Sequence, residues 1–522
     1  MTFTPLVQSK NDSNNSISTT STTFTGTGIN VNGYNQISVH ITSNQNSNNE
    51  GIEIQFSSDN STWTTYIKET YYANTIFNKQ YNIYNSYFRI KYLTTNATFT
   101  IETRLNTEST NTKPDDTNSN QMDAFGKLRV SNPYTLLDIK YSHESTATPE
   151  YLKNNMLICS KSTGAAIATY GSSTSILSSS GIGSYINQSR KYCIYQPGKS
   201  LLFLNSAIIQ PTATSTNYNA RLGYYDSNNG LFFEQNQNGL YVVLRNNASD
   251  TSILQSNWNI DTLNGNGTSG YNMDFSKAQI FVIDFGWLGV GKIRFGVYIF
   301  GKIVYCHQIA NLNILTEPFM RTAFLPSRNE LNVNDGGNAS MTQICSSVIS
   351  EGGYNPIGRP FNISNENIGI SVNTTETPIL ALRGNLATAS SSNNKYYHQQ
   401  IIPTLINIYG SSNAEFLFKL RLYLAPNTPT VTTWTSVNND SIAQYALGDS
   451  NITNISNTNI IISSSYVQGR ENVSIQNLDD IFTKLIQITS NIDNECDVLL
   501  ITAQALSGNA NIYSSINWNE SY

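Results

Sequence analysis

A strict alternation of side chains between residues 279 and 309 constrains the fold more than any other feature. Ile293, Phe295, Val297 and Ile299 alternate with Arg294, Gly296, Tyr298 and Phe300. Because successive side chains of a strand point to opposite faces, this pattern predicts a strand with one buried face. Residues 279–285 and 303–307 are equally strand-like, and a short Phe300-Gly301-Lys302 turn precedes the second. The segment therefore predicts a three-strand antiparallel meander.

The same segment contains a partial nucleotide-binding motif. Gly286-Trp-Leu-Gly-Val-Gly291-Lys292 fits the first seven positions of a P-loop, G-x-x-x-x-G-K. A P-loop also requires a Ser or Thr after the Lys and a helix whose first amides hold phosphate. Ile293 follows instead and begins the alternating strand. We expect residues 286–292 to connect two strands and to bind no nucleotide or other cofactor.

The composition favours strands throughout the chain. Charged residues make up 12% of the sequence, against about 25% in typical soluble domains. The chain nevertheless carries 31 Tyr, 21 Phe and 5 Trp, which supply enough aromatic surface to pack sheets. Polar turns are rich in Asn, Ser and Thr. The expected fold class is all-β, with several antiparallel β-sandwich domains.

Several classes of protein are disfavoured by what the sequence lacks. A formal net charge of −5 provides no basic surface for nucleic acid. No apolar run approaches the about 18 residues of a membrane helix, and the first residues do not resemble a secretory leader. The cysteines are odd in number and widely spaced: Cys159, Cys193, Cys306, Cys345 and Cys496. We expect them to be buried, unpaired thiols in a reducing compartment.

Turn-rich and apolar segments divide the chain into three predicted domains. Residues 1–105 predict a small β-sandwich that begins with a loose arm or edge strand over the first ~25 residues. Residues 106–120 contain no apolar side chain and predict a linker. Residues 121–355 predict a central jelly-roll or lectin-like sandwich, and residues 361–522 predict a C-terminal sandwich.

The strongest strand pattern of the C-terminal domain lies at residues 415–424. Its expected inward side chains are Phe416, Phe418, Leu420, Leu422 and Leu424, and its expected outward side chains are Lys419, Arg421 and Tyr423. The outward face is predicted to be solvated or shared with a partner. Residues 477–485 predict a short helix capped by Asn477.

Carboxylates suitable for glycoside hydrolysis are not evident, because that reaction needs two of them at a fixed separation in a cleft. Asp115-Asp116 lies in the predicted linker, and Asp479-Asp480 lies at the start of the predicted helix. We interpret Glu234 and Asp284 as solvent-facing strand residues. No catalytic residue is therefore predicted, and the chain is not expected to be an enzyme.

Metal and nucleophile signals are equally weak. Cys306-His307 is the only close pair of metal-binding residue types, and neighbours on a strand point to opposite faces. His40, His143 and His398 have no ligand spacing. A Ser-His-Asp triad stays open, although no Gly-x-Ser-x-Gly motif supports one.

Two further patterns have ordinary explanations. The glycosylation sequons at Asn96, Asn247 and Asn451 are expected by chance in a chain so rich in Asn, Ser and Thr. Trp63 and Trp287 could stack on sugar rings, but sheet packing is the more common role of such residues.

Four motifs resemble a known family. They are Asp123-Ala-Phe-Gly-Lys-Leu-Arg-Val-Ser-Asn-Pro133, Tyr195-Gln-Pro-Gly-Lys-Ser200, Asp284-Phe-Gly-Trp-Leu-Gly-Val-Gly-Lys-Ile-Arg-Phe-Gly296 and Ile344-Cys-Ser-Ser-Val-Ile-Ser-Glu-Gly-Gly353. The likeness covers residues 121–522 and is to uncharacterised virion structural proteins of tailed phages, many of them marine, and of some large DNA viruses of algae and protists. The family has no catalytic motif to transfer.

The resemblance implies a structural protein of the virion, in the surface, the tail or a capsid-associated layer, assembled in the host cytoplasm. Its expected partners are copies of itself and other virion proteins, because uncharged sheet surfaces favour such pairing. A glycan-binding attachment protein, with a host surface glycan as ligand, is the alternative. A hydrolase of host surface polysaccharide is the third option.

Overall fold

A computed structural model describes most of the chain. It covers residues 22–31, 36–75, 77–95, 97–106, 123–127, 132–141, 158–355, 358–366, 368–384, 400–448, 450–455, 459–475 and 495–521, together with 11–12, 16–18, 478, 488 and 492–493. These residues contain many antiparallel strands and one short 3-10 helix, Gln255–Asn257. The predicted all-β class is confirmed.

The strands are numbered in chain order. The first ten are β1 (Asn11–Asp12), β2 (Ser16–Ser18), β3 (Thr23–Thr25), β4 (Ile29–Asn30), β5 (Gln36–Ser43), β6 (Ser47–Ser57), β7 (Thr64–Glu69), β8 (Phe77–Asn82), β9 (Tyr87–Thr94) and β10 (Thr98–Asn106). The central strands are β11 (Tyr134–Lys140), β12 (Ile158–Gly171), β13 (Thr174–Ser189), β14 (Leu201–Ile208), β15 (Tyr218–Tyr225), β16 (Gly230–Asn236), β17 (Gly239–Asn246), β18 (Ser249–Leu254), β19 (Gln279–Phe285), β20 (Ile293–Ile299), β21 (Lys302–Ile309), β22 (Ser327–Val333) and β23 (Ala339–Ser350). The last are β24 (Arg359–Ser364), β25 (Ile370–Val372), β26 (Thr377–Gly384), β27 (Gln400–Gly410), β28 (Phe416–Tyr423), β29 (Thr430–Val431), β30 (Thr435–Ser436), β31 (Ala443–Leu447), β32 (Ile452–Thr453), β33 (Ile460–Val467), β34 (Asn472–Ile475), β35 (Val498–Ala505) and β36 (Ala510–Ser521).

Two sheets enclose the N-terminal core. One has the order β1-β10-β5-β8 with β2 beside β10, and the other has the order β3-β9-β6-β7 with β4 beside β9. Alternate residues of β9 are buried, as period two requires. The core contains Ile37, Val39, Ile41, Ile52, Ile54, Phe56 and Phe88. Two sheets packed face to face form a sandwich, the architecture predicted for this part of the chain.

The central strands form one large sheet that curls over itself. Its order runs β18-β17-β16-β15-β22-β13-β23-β14-β19-β20, with β12 beside β13 and β11 beside β23. Phe233 of β16 packs against Phe281 of β19, with ring centroids 5.0 Å apart. Asn205 Nδ2 of β14 donates to Asn329 Oδ1 of β22 at 3.1 Å. Such contacts join strands far apart in the order, so the core lies inside the curl.

The predicted meander is present, and a further hairpin joins β15 to β16. β19 and β20 pair antiparallel, with Phe285 opposite Ile293. β21 follows a turn in which Phe300 and Gly301 have φ values of 45° and 86°. A turn at residues 226–230 joins β15 to β16, and Asp226 Oδ1 accepts from the backbone N–H of Asn228 at 2.7 Å.

The C-terminal strands enclose a second sandwich core. One sheet has the order β24-β36-β27-β34 with β25 beside β36, and the other has the order β30-β31-β26-β35-β28-β33. Phe416, Phe418, Leu420 and Leu422 of β28 lie in the same core as Trp518 of β36. The expected inward face of this strand is confirmed.

The expected outward face of β28 is partly wrong. Tyr423 is fully buried and Arg421 is 6% exposed, whereas Lys419 is half-buried. Tyr423 belongs to a small core cluster with Ala381, Ala446, Ile452, Val498 and Leu500, and Val431 and Trp434 pack against it. The chain that carries the short strands β29 and β32 therefore covers this end of the sheet.

Contacts between Cα atoms divide the chain into two compact units. The first is Met1–Asn120 with Ser256–Asp274 and Val304–His307, and the second contains the remaining residues. Most of the linker expected at 106–120 and of the helix expected at 477–485 lies outside the described residues, apart from Asn106 and the buried Leu478. The domain boundaries stay predictions.

Candidate interaction surface

The glycine loop, residues 286–292, is closed by its own backbone. Gly291 N donates to Trp287 O at 2.8 Å, and Gly286 N donates to Lys292 O at 3.2 Å. The N–H of Leu288 donates to the hydroxyl of Tyr195 at 3.2 Å. These amides already have acceptors within the protein, and β20 begins at Ile293 as a strand. The predicted connection between strands is confirmed.

The glycines of this loop serve close packing. A Cβ at position 291 would lie 1.6 Å from the carbonyl oxygen of Gly286. A Cβ at position 286 would lie 2.4 Å from the ring of Phe125. Only glycine permits such approaches, so the P-loop-like spacing follows from a tight turn.

The two candidate sugar-stacking tryptophans are engaged within the protein. The guanidinium of Arg89 lies 4.2 Å from the ring centroid of Trp63. Trp287 Nε1 donates to Met320 O at 3.0 Å, and Tyr195 packs edge-on against the same ring. Both rings therefore have packing roles, the alternative that the sequence favoured.

Glu234 and Asp284 are not solvent-facing, which corrects the sequence interpretation. Asp284 is fully buried and pairs with Arg294, the residue directly opposite it on β20. Glu234 is 9% exposed, and Arg221 opposite it on β15 donates to it at 2.6 Å. Burying a carboxylate requires a paired cation. Each arginine lies directly opposite its acid in a hairpin, so aligning the two strands of each hairpin would have revealed both pairs.

Arg221 and Glu234 belong to a larger buried ionic cluster on one face of the central sheet. Arg221 also contacts Glu330 at 3.3 Å, and Arg328 donates to Glu330 at 2.8 Å. Arg245 pairs with Asp250 at 2.7 Å. Two aromatic rings complete the cluster. The guanidinium carbon of Arg328 lies 5.3 Å from the ring centroid of Tyr225, and that of Arg245 lies 4.9 Å from the ring centroid of Phe232.

The charges in this cluster stabilise one another. Burial lowers the pKa of Arg221, but Glu330 and Glu234 outweigh it and raise that pKa above its ordinary value. Burial raises the pKa of Glu330, but Arg328 and Arg221 outweigh it and hold that pKa below its ordinary value. The ion pairs therefore outweigh burial in setting the pKa of both Arg221 and Glu330, and both side chains stay charged at neutral pH.

Histidines and cysteines do not converge in the described part of the chain. Cys306 and His307 are both buried on β21, and burial raises the pKa of the Cys306 thiol and lowers that of His307. His40 lies on β5. His143, His398, Asp115-Asp116 and Asp479-Asp480 fall outside the described residues. Among the residues that are described, no three His, Cys, Asp or Glu side chains are grouped to hold a metal.

The cysteine expectation is confirmed for four of the five positions. All five thiols are free, and Cys159, Cys193, Cys306 and Cys496 are buried. Cys345 is exposed, contrary to the expectation. It lies on β23 at a pairing irregularity, where β14 shifts register between Ser206 and Ala207.

The predicted glycosylation positions lie in different settings. Asn96 is outside the described residues. Asn247 occupies the turn after β17 with a φ of 51°. Asn451 is hydrogen-bonded through its amide, since Nδ2 donates to Thr433 O at 2.8 Å.

A long hairpin, which the sequence analysis missed, places an exposed strand at the border of the central sheet. β12 has 14 residues and β13 has 16, and they pair from Ile158 and Ser189 up to Gly171 and Thr174. Ser172 and Ser173 make the turn with φ values of 50° and 58°. Two such residues define a type I′ turn, for which Asn-Gly is the usual signal. Because Ser172 and Ser173 occupy these positions, the sequence did not predict this turn.

β13 lies inside the sheet, whereas β12 lies at its border. β13 pairs with β12, β22 and β23, and β12 pairs with β13 alone among the described strands. Residues 160–165 are exposed, and Ile167 is 56% exposed. Residues 162–189 contain no charged residue and no proline. This border is the candidate interaction surface.

The first half of β12, residues 158–164, is flanked by C-terminal residues of the same compact unit. Lys161 forms an ion pair with Asp493. Cys159 contacts the backbone of Ile492, and burial raises the pKa of this thiol. A bulge between Gly164 and Ala166 separates this half from the second half of the strand, residues 166–171. We name residues 166–171 the β12 edge.

Within the described residues, no helix is long and apolar enough to span a membrane.

Comparisons with known proteins give limited matches. Residues 4–108 match the family model of the uncharacterised protein YqxG N-terminal domain. The search of curated proteins gave no match.

Solved structures resemble parts of the chain at low identity. The Emp46p carbohydrate recognition domain, in a metal-free form, is 10% identical, with a TM-score of 0.27 over 42% of this chain and 97% of that chain. The binding domain of botulinum neurotoxin serotype C1 is 14% identical, with a TM-score of 0.27, and the match covers 71% of this chain and 94% of that chain. The PBSX exported protein XepA is 10% identical, with a TM-score of 0.18, and the match covers 65% of this chain and 86% of that chain. Likeness at this level supports no functional argument.

Proposed function

We propose that this chain is a non-catalytic structural protein of a virus particle, located in its surface, its tail or a capsid-associated layer. It acts by binding copies of itself and other virion proteins after synthesis in the host cytoplasm. The observation that carries the proposal is the uncharged β12 edge, which lies at the border of the sheet and exposes Ile167 and Thr169. The family resemblance of residues 121–522 supports the assignment to a particle.

Exposed strand edges are a hazard that soluble proteins normally limit. An edge presents unpaired N–H and C=O groups to any other strand, and lysine, proline or a very short strand usually blocks it. Above Lys161, β12 has none of these features. Such an edge is favourable only where another chain is meant to pair with it. Assembly therefore explains a feature that a monomeric enzyme would avoid.

The state of the candidate acids supports a function without catalysis. Asp284 and Glu234 are held by Arg294 and Arg221 in buried ion pairs. A general acid or base must lie within hydrogen-bond reach of its substrate, and Asp284 has no exposed surface while Glu234 is 9% exposed. These acids are better explained as structural.

A reconstruction of the intact virus particle tests this function. We expect density that fits the two sandwiches and the curled central sheet, repeated at a defined place on the particle. Antibodies against the chain should label purified particles at that place. Particles that lack the protein, or a purified chain that degrades host surface polysaccharide, would contradict the proposal.

A second function, glycan binding during attachment, is favoured by a pair of exposed tyrosines in the N-terminal unit. The rings of Tyr66 and Tyr84 stack 5.0 Å apart with an interplanar angle of 8°. They are 46% and 44% exposed, and Phe56 fixes both rings by edge contacts. Rigid exposed tyrosines with polar hydroxyls suit the flat faces of sugars.

A glycan array probed with the full chain tests this second function. We expect binding that Tyr66→Ala weakens and that Tyr72→Ala does not, because Tyr72 is 63% exposed in the same unit. Silence of the wild-type chain across a broad array would count against glycan binding and leave the assembly role untouched.

A further inference from the structure

We infer that the β12 edge pairs antiparallel with the β12 edge of a second copy of this chain, about a two-fold axis near Ala168. The inference rests on the proposed assembly function and names its partner. The two central sheets would then be continuous across the pair. Closed two-fold symmetry is the commonest arrangement of identical chains.

The absence of charge makes this edge complementary to itself. In a two-fold antiparallel pair, each residue faces a residue of the same short stretch and the central residue faces its own copy, so like charges near the axis would repel each other. Residues 162–189 contain none, and Lys161 is already paired with Asp493. β13 pairs antiparallel with each of its described neighbours, so a second antiparallel neighbour of β12 continues the hydrogen-bond pattern of the sheet.

The bulge and the turn limit the register. Pairing cannot pass the bulge at Gly164, where φ is +60° and the ladder with β13 shifts. It also cannot pass the turn at Ser172. Centring the pair on Ala168 places Ile167 opposite Thr169 of the other copy and Ala166 opposite its Tyr170. This register pairs residues 166–170 of the edge and sets the β-branched side chains of Ile167 and Thr169 opposite each other.

The alternative occupant is a strand from a different protein. A stretch without charge faces its own copy with no like-charge repulsion, which favours self-pairing over pairing with a different strand. The test below separates the two, because only self-pairing forms with the purified chain alone.

Single cysteines in the full chain test the register. In the background Cys345→Ser, which removes the exposed thiol, we expect Ala168→Cys to give a disulfide-linked dimer under mild oxidation. Directly opposed residues of antiparallel strands have Cα atoms about 4.5–5.5 Å apart, which suits a disulfide. Thr163→Cys is the matched control, because the inferred register places its two copies about 33 Å apart at about 3.3 Å per residue.

Sedimentation velocity tests the pairing without cysteines. The wild-type chain should show a concentration-dependent dimer, and Ile167→Lys should raise its dissociation constant by about tenfold or more. Ile182→Lys should leave it unchanged, because Ile182 is 67% exposed but lies on β13, outside the residues that the inferred register pairs. Near-ultraviolet circular dichroism confirms that each variant is folded.

The results that would overturn this inference differ from those that would overturn the proposed function. A wild-type chain that is monomeric at every concentration overturns the inference, as does a dimer that tolerates Ile167→Lys or that crosslinks equally at Thr163 and Ala168. A particle that contains the protein with unpaired β12 edges overturns this inference alone. A particle that lacks the protein overturns the proposed function.

Discussion

Arg190 binds the buried carboxylate of Asp497 and thereby joins the end of β13 to the start of β35. Its Nη1 lies 3.4 Å from Asp497 Oδ1, and its Nη2 donates to Ala425 O at 3.2 Å. Ala425 N donates to the same Oδ1 at 2.9 Å. The central sheet and the C-terminal strands are thus tied through one carboxylate that has no exposed surface.

Arg190→Ala should destabilise the protein strongly. The substitution removes the cation that faces Asp497, and a buried charge that loses its partner costs about 3–5 kcal/mol. Urea denaturation followed by tryptophan fluorescence should show a lower midpoint for the unfolding of this compact unit.

Lys161→Ala is the matched control for that measurement. Lys161 also pairs with a C-terminal acid, Asp493, but the two side chains are 44% and 46% exposed. Exposed pairs contribute about 0–1 kcal/mol, so the midpoint should barely move. Equal losses in both variants would show that burial of the Arg190 pair is not the source of its contribution.

Glu330 should make the stability of the central sheet depend on pH. Burial raises the pKa of Glu330, but Arg328 and Arg221 outweigh it, so its pKa in the folded protein lies below its unfolded value. The resulting stability is complete above the unfolded pKa, about 4.3, and is lost as pH falls through the folded pKa. Acid should therefore weaken the wild type through this group.

Glu330→Gln removes that dependence. At pH 7 the variant should lose about 2–4 kcal/mol, since Arg328 and Arg221 lose a buried partner. Between neutral and acidic pH its free energy of unfolding should fall less steeply than that of the wild type. Glu415→Gln, at an exposed position, should leave both the value and the slope unchanged. A parallel pH profile for Glu330→Gln and the wild type would contradict this account.

Local patterns predicted the strands well because strand periodicity depends on neighbours in sequence. β20 was predictable from alternation alone, and the turn of β15 and β16 from Asp226 and the residues that follow it. The buried states of Asp284, Glu234 and Tyr423 were not predictable in this way. Each depends on which residue lies opposite or which distant segment covers it.

The candidate interaction surface was the least predictable feature. Whether a strand lies at the border of a sheet is decided by the order of strands, which is set by contacts far apart in sequence. β12 precedes β13 in the chain, and β13 continues into the sheet by pairing with β22 and β23. The charge-free run of residues 162–189 was visible in the sequence, but its exposure was not.

Two turns of the same kind should respond oppositely to exchange of glycine and alanine. Asn247 and Ala248 have φ values of 51° and 61°, and Phe300 and Gly301 have values of 45° and 86°. Ala248→Gly should stabilise the protein by about 0.5–1 kcal/mol, because an alanine in the left-handed region is strained.

Gly301→Ala should destabilise by a similar amount, about 1 kcal/mol. A Cβ at Gly301 meets no atom within 4 Å, so only the backbone conformation contributes. Thermal unfolding by differential scanning calorimetry measures both changes. Shifts of the same sign in the two variants would show that the φ values do not control these turns.

The glycine loop separates a packing role from a nucleotide-binding role in one experiment. Gly291→Ala should cost about 2 kcal/mol or more, because the new Cβ would lie 1.6 Å from Gly286 O and the turn would have to open. Lys292→Ala keeps the backbone and should change stability much less. Isothermal titration calorimetry with Mg-ATP should give no binding heat for the wild type or for Lys292→Ala, because the amides of Gly286 and Gly291 already have acceptors in the loop. Measurable affinity in the wild type that Lys292→Ala abolishes would show that the loop opens to hold phosphate.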